Sequence, residues 1–214
     1  MRAVTSQAHD AVRLDGEEWS LAAVAGTGLS SISDHAIEPG MPMTTACHRG
    51  HYCVYAVEGD GLVLSELRLP SSAKVAGRAL AAGDPLLGGT VVEVERERAS
   101  WMGERFVVRD LRWHVPFTGT LLLARDVVSY GPHIGFWPAW HFGRVVELAV
   151  DAGVVTGRRD RSEEMAETRR AIEEGEREHP DGPRDDVRGW IARTFGLGYD
   201  RSVPRPPPPR PPER

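Results

Sequence analysis

The chain has 214 residues, 41% hydrophobic and 27% charged, with a formal net charge of −5. That is enough apolar content for one sizeable domain with additions. Residues 1–156 hold 18 acidic against 13 basic side chains and carry the whole −5, while residues 157–214 hold 13 of each. A net-acidic core argues against general nucleic-acid binding, which needs a basic face to displace counterions.

The longest apolar run near the N-terminus, residues 21–25, is too short for a membrane span or a secretory leader. No membrane association is expected, and the expected compartment is the cytosol. Two cysteines agree with that. On one extended strand Cys47 and Cys53 would lie about 20 Å apart, at ~3.3 Å per residue. A disulfide needs Cα atoms within roughly 7 Å, so reduced, separately packed thiols are expected.

In chain order, residues 1–43 read as irregular with one candidate hairpin. Residues 12–14 and 19–24 flank the turn-like Asp15-Gly16-Glu17-Glu18. Residues 37–42 carry two prolines and a glycine, which no regular element holds. From 44 to 157 a β-rich core is expected. Residues 51–57 are apolar at nearly every position, as in a strand covered on both faces.

Glu58-Gly59-Asp60-Gly61 supplies a hairpin turn. The returning strand sets Leu62 and Leu64 on one face, then Leu67 and Leu69, and the change of parity at Ser65-Glu66 predicts a β-bulge. Further strands are expected over 90–95, 105–113, 117–124 and 144–150, with a turn at 151–153 into 154–156. Short strands separated by turn signals favour a mainly β fold, an antiparallel β-sandwich or barrel, over alternating βαβ units.

Residues 158–198 form an expected helical appendix. Asp160 and Glu163 suit a capping box for a helix to about residue 174. A second helix over 185–195 places Val187, Trp190, Ile191 and Phe195 on one face, with Gly196 at its stop. Residues 199–214 end in a proline- and arginine-rich tail from Pro204, expected to be extended and disordered.

Four patterns resemble chemistry. Gly26-Thr27-Gly28-Leu29-Ser30-Ser31 imitates a dinucleotide-binding turn, but Pro39-Gly40 arrives before a helix could form, so a glycine loop is expected and no cofactor is assigned. Cys47, His48, His51 and Cys53 are all zinc-ligand types. On a strand, however, His48 faces away from the other three and no second pair follows, so no metal is assigned.

Asp126, His133 and His141, with Glu104, Asp110 and Glu147, could supply acid–base chemistry. No nucleophile elbow, metalloprotease helix or phosphate loop accompanies them, and structural roles are expected. The fourth pattern is the stretch 130–142, rich in aromatics and broken by Gly and Pro. Its Tyr130, His133, Phe136, Trp137, Trp140 and His141 are the candidate binding residues. Exposed on a loop they would recognise a ligand or partner; packed inward they would plug one end of the fold.

Two blocks of sequence carry a resemblance. One runs from Gly50-x-Tyr52 through Tyr55-x-Val57 into Gly61-Leu62-x-Leu64 and Leu67. The other is Phe117-Thr118-Gly119-Thr120-Leu121, then Tyr130-Gly131, residues 145–148 and Gly153-Val154. On these the chain resembles a family of uncharacterised β-rich proteins from bacteria, actinobacteria in particular. It departs from them at Tyr55-Ala56-Val57, where relatives carry Trp-Glu-Ile or similar. It departs again at Pro138-Ala139-Trp140-His141, where relatives have a shorter Tyr-rich turn. The resemblance covers about half the chain, and implies a compact β-rich fold with no established activity and no catalytic residue.

Small size, an acidic core and the lack of a catalytic signature lead to one functional expectation. The protein binds another protein without catalysis, in the manner of an immunity or antitoxin-like factor, with acidic charge steering it to a basic partner. A small-molecule-binding barrel or sandwich, and a hydrolase using a His/carboxylate pair, are the alternatives.

Overall fold

A computed structural model describes residues 6–29, 32–42, 44–94, 103, 105–128, 135–175 and 187–203. Glu104, Tyr130, His133, the tail from Pro204 and the side chains of Val187 and Trp190 lie outside the described residues.

The fold is mainly β, and its main sheet closes into a barrel. Its wall is built from β1 (Ala11–Leu14), β2 (Glu17–Thr27), β4 (Tyr52–Glu58), β5 (Gly61–Leu69), β12 (Thr118–Val127), β13 (Phe142–Asp151) and β14 (Val154–Asp160). Their order is β14-β13-β12-β2-β1-β4-β5, and β14 returns to β5 where Val154 pairs with Gly61. Two backbone hydrogen bonds lock the seam: Leu62 N–H to Gly153 O and Val155 N–H to Asp60 O, both 2.7 Å. Closure removes open strand edges over this part of the wall.

All wall pairings are antiparallel except β1 with β4, which is parallel. That pairing forces a long crossover between β2 and β4. The crossover carries a short 3-10 helix, Ile32–His35, and β3 (Ile37–Glu38). β3 joins β6 (Lys74–Val75) and β7 (Arg78–Ala79) in a separate three-stranded sheet. β8 (Pro85–Leu86), β9 (Gly89–Glu93) and β10 (Phe106–Arg109) extend the main sheet beyond β5, and β11 (Trp113–His114) also pairs with β5.

Local signals are met closely. The hairpin expected over 12–24 is β1–β2. The expected bulge is present: Val54 pairs with Glu66 and Tyr55 with Leu64, so Ser65 is the extra residue, and its hydroxyl donates to Val54 O at 2.9 Å. The single strand expected over 105–113 is interrupted, because Asp110 adopts φ +59° and turns the chain between β10 and β11. The barrel draws on residues 11–27 as well as on the segment from 44 onward, since β1 and β2 sit in mid-wall.

Alternation along the strands buries two faces. Val12, Leu14, Trp19, Leu21, Cys53, Tyr55, Leu121, Leu123 and Leu148 belong to one cluster, which fills the barrel interior. Ala23, Leu122, Ala124 and Val145 belong to a second, against the outside of β2, β12 and β13. That outer face is covered by Ala139 and Trp140 of a second 3-10 helix, Ala139–His141, and by Met165 of α1 (Ser162–Glu173). α2 (Val187–Thr194) and α3 (Tyr199–Ser202) follow.

The helix expected from 160 begins at Ser162 with Arg161 as its N-cap, so the expected capping box of Asp160 and Glu163 does not form; Asp160 instead accepts from the Ser162 N–H at 2.8 Å. α1 and α3 are tied to the wall by one network. Arg161 donates to Glu147 at 2.7 Å and to Tyr199 Oη at 2.9 Å, and Tyr199 donates to the same carboxylate.

One point on the wall is pinched. Gly26 and Gly119 oppose each other across β2 and β12, with φ of +147° and +146°. A Cβ on Gly119 would lie 2.1 Å from Ala25 O and 2.7 Å from the Gly26 Cα. Gly119→Ala is therefore expected to destabilise the protein by about 2 kcal/mol or more. Thermal unfolding checks this, and an unchanged midpoint would mean the strands can part there at no cost.

Candidate functional site

Four of the six candidate binding residues lie among the described residues, and they form a seam rather than an open surface. Phe136, Trp140 and His141 are 2%, 4% and 5% exposed, and Trp137 is half-buried. The backbone of the segment explains why. Gly135 has φ +82° and sits so close to Thr194 O that a Cβ would meet it at 1.9 Å.

Partners remote in sequence then fix each following residue. Phe136 N–H donates to Thr194 O at 3.1 Å. Trp137 N–H donates to His9 Nε2 at 3.1 Å, and its indole N–H to Ser6 Oγ at 2.8 Å. Ala139 N–H donates to Ser202 Oγ at 2.9 Å. The rings of Trp140 and His141 stack at 3.9 Å. The aromatics are spent on joining the segment before β1, α2 and α3 to the barrel.

The 47–53 cluster meets this seam from the other side. Asp10 accepts from Arg49 through both oxygens, at 2.6 and 3.1 Å, and from Cys53 N–H at 2.8 Å. The Arg49 guanidinium lies 5.2 Å from the centre of the Phe136 ring. Burial alone would lower the Arg49 pKa, but the Asp10 carboxylate outweighs it and holds the group firmly charged.

Three of the four zinc-type residues here have other work. The Cys47 thiol donates to His51 O, His48 Nδ1 is bonded to Gln7 Oε1 at 2.6 Å, and His51 Nδ1 is bonded to Arg49 O. Both thiols are free and buried. Among the described residues no group of three or more His, Cys, Asp or Glu is placed to hold a metal ion.

Two of the acid–base candidates are also occupied. Glu147 serves Arg161 and Tyr199, and Asp126 lies beside Arg125 and Arg144, which share Glu17. The carboxylate of Glu17 is held below its usual range by the hydrogen bond from Arg144.

A different place offers a cavity. At one mouth of the barrel, Cys53 and Tyr55 of β4 and Leu64 of β5 form an apolar floor. The helix Ile32–His35 lies over it as a lid, with Trp113 of β11 at the rim. The His35 and Trp113 rings meet edge to face, 4.7 Å between centroids at 76°. In this closed form the free volume is about 10 Å³, room for no more than one water.

Burial pushes the pKa values of the Cys53 thiol and the Tyr55 hydroxyl up, so both stay protonated. None of His35, Tyr55 or Trp113 stands out in the sequence, because only the crossover and the β5–β11 pairing bring them together. Another depression, about 610 Å³, is an open polar trough beside α1 lined by Arg159, Asp160, Ser162, Glu163, Glu164 and Glu167. No known family model matches the chain, and no curated protein or solved structure is significantly similar to it.

Proposed function

We propose that the protein is a non-catalytic binding barrel whose lidded mouth takes a small apolar molecule. The observation that carries this is the apolar cavity under Ile32–His35, at the end of a closed wall and lined by a few polar groups. Such concave, mostly apolar sites at barrel mouths are where small ligands bind. Catalysis is the weaker reading. The one thiol at the cavity, Cys53, is kept protonated by burial and is a poor nucleophile.

The test is a thermal-shift screen against small apolar molecules. A ligand at 100 times its Kd should add about 2.7 kcal/mol of stability, which moves a midpoint by a few degrees. A flat response across a broad library would sink the reading.

A second reading, binding of a basic protein partner, has the acidic trough at Asp160, Glu163, Glu164 and Glu167 in its favour. It predicts capture of a stoichiometric basic partner at low salt, with association slowed as salt rises. Purification without such a partner would count against it.

A further inference from the structure

The lid of the barrel mouth is itself aromatic. The His35 ring lines the cavity and stands edge-on to Trp113 at 4.7 Å. An edge-to-face pair of this kind is a weak contact. Among the described residues no hydrogen bond to the His35 ring reinforces it. The lid helix is a four-residue turn, and it ends at Ala36, a non-glycine residue at φ +55°. The helix itself is anchored, with Ile32 5% exposed in the core, so the part that a guest can move is the half-buried His35 side chain at its end.

Beneath it the floor is neutral. Leu64 is apolar, and the uncharged Tyr55 hydroxyl and Cys53 thiol are polar points that can exchange a hydrogen bond with a guest. Apart from His35 itself, no basic or acidic side chain among the described residues lines the cavity to receive a charged guest. Burying an unpaired charge there would be costly.

We infer that the His35 imidazole is a plug supplied by the chain itself, and that the ligand is an uncharged molecule bearing one aromatic ring, which displaces the imidazole and packs on Trp113. This rests on the small-molecule reading above and names the ligand class and the residue that competes with it. Phenol is a suitable probe, with benzoate as its charged counterpart and 1-hexanol as an uncharged molecule without a ring.

Binding is followed by Trp113 emission, with Trp113→Phe as the control that removes the signal, and by thermal shift. His35→Ala should bind phenol at least tenfold more tightly than the wild type, because the internal competitor is gone. His35→Phe keeps a ring in the mouth and should bind no more tightly than the wild type. Phenol should exceed benzoate and 1-hexanol by tenfold or more in His35→Ala.

No gain in His35→Ala would overturn the plug. Equal binding of benzoate or 1-hexanol would overturn the ligand class while leaving a binding barrel. Absence of binding by all three probes in both proteins would remove the small-molecule reading as well. Should His35→Ala fail to fold, the ranking of the three probes on the wild type decides the ligand class. Phenol protection of Trp113 from acrylamide quenching then decides where it binds.

Discussion

Replacing Asp10 by alanine is expected to destabilise the protein by about 3–5 kcal/mol, the range for breaking a buried ion pair from one side. The carboxylate is 4% exposed and receives both forks of Arg49 together with the Cys53 N–H. Its loss leaves a guanidinium desolvated beneath Phe136 and a backbone donor of β4 without its acceptor. Both penalties are those of an unpaired buried group rather than the net value of the pair.

The double variant Asp10→Ala/Arg49→Met should therefore recover part of the loss, since it removes the stranded charge and keeps apolar bulk against the ring. Urea unfolding of the single and double variants measures this. A cost below about 1 kcal/mol for the single change would show that water reaches Arg49 freely.

Lowering the pH from neutral to about 4 should cost roughly 3 kcal/mol through His9 alone. Its Nε2 accepts from Trp137 N–H, so its Nδ1 must carry the proton donated to Leu21 O at 2.9 Å. This is the neutral ring, and a second proton would have to break the bond to Trp137. Burial, aided by Arg49 and Arg201, lowers the His9 pKa from 6.5 to about 4, while Leu21 O and Asp10 oppose the shift.

The unfolded chain therefore takes up the proton first. The contribution is complete above about pH 6.5 and is lost progressively as the pH falls to about 4, below which it is constant. A depression of this size corresponds to roughly 3 kcal/mol. His9→Gln can donate to Leu21 O and accept from Trp137 without titrating. The difference in stability between wild type and His9→Gln, measured from pH 7 to 4, isolates the effect from the carboxylates. Parallel curves would mean that His9 is not held neutral.

Both predictions fall on a seam of which the sequence displays only separate pieces. The stretch 136–142 is conspicuous for its rings, yet composition cannot tell an exposed aromatic loop from a buried one. What decides is where the acceptors and donors are. For Trp137 and Ala139 they are Ser6, His9 and Ser202, far away along the chain. The candidates of 47–53 were visible as ligand types, but their partners, Gln7 and Asp10, lie in a segment without any pattern.

The sequence by itself determined the short-range structure: the β-rich class, the turn at Glu58-Gly59-Asp60-Gly61, the bulge at Ser65 and the helix that starts beside Asp160. These depend on side-chain alternation, on φ preference and on short-range side-chain to backbone hydrogen bonds, which act within a few residues. Only the tertiary structure decided that the sheet closes, through Val154 against Gly61, and that β4 lies parallel to β1. A strand's periodicity states which face is buried and not which neighbour it will bond. The same limit hid the mouth of the barrel. His35 and Trp113 meet because a crossover and a strand pairing deliver them to one place, and no local preference of either residue encodes that.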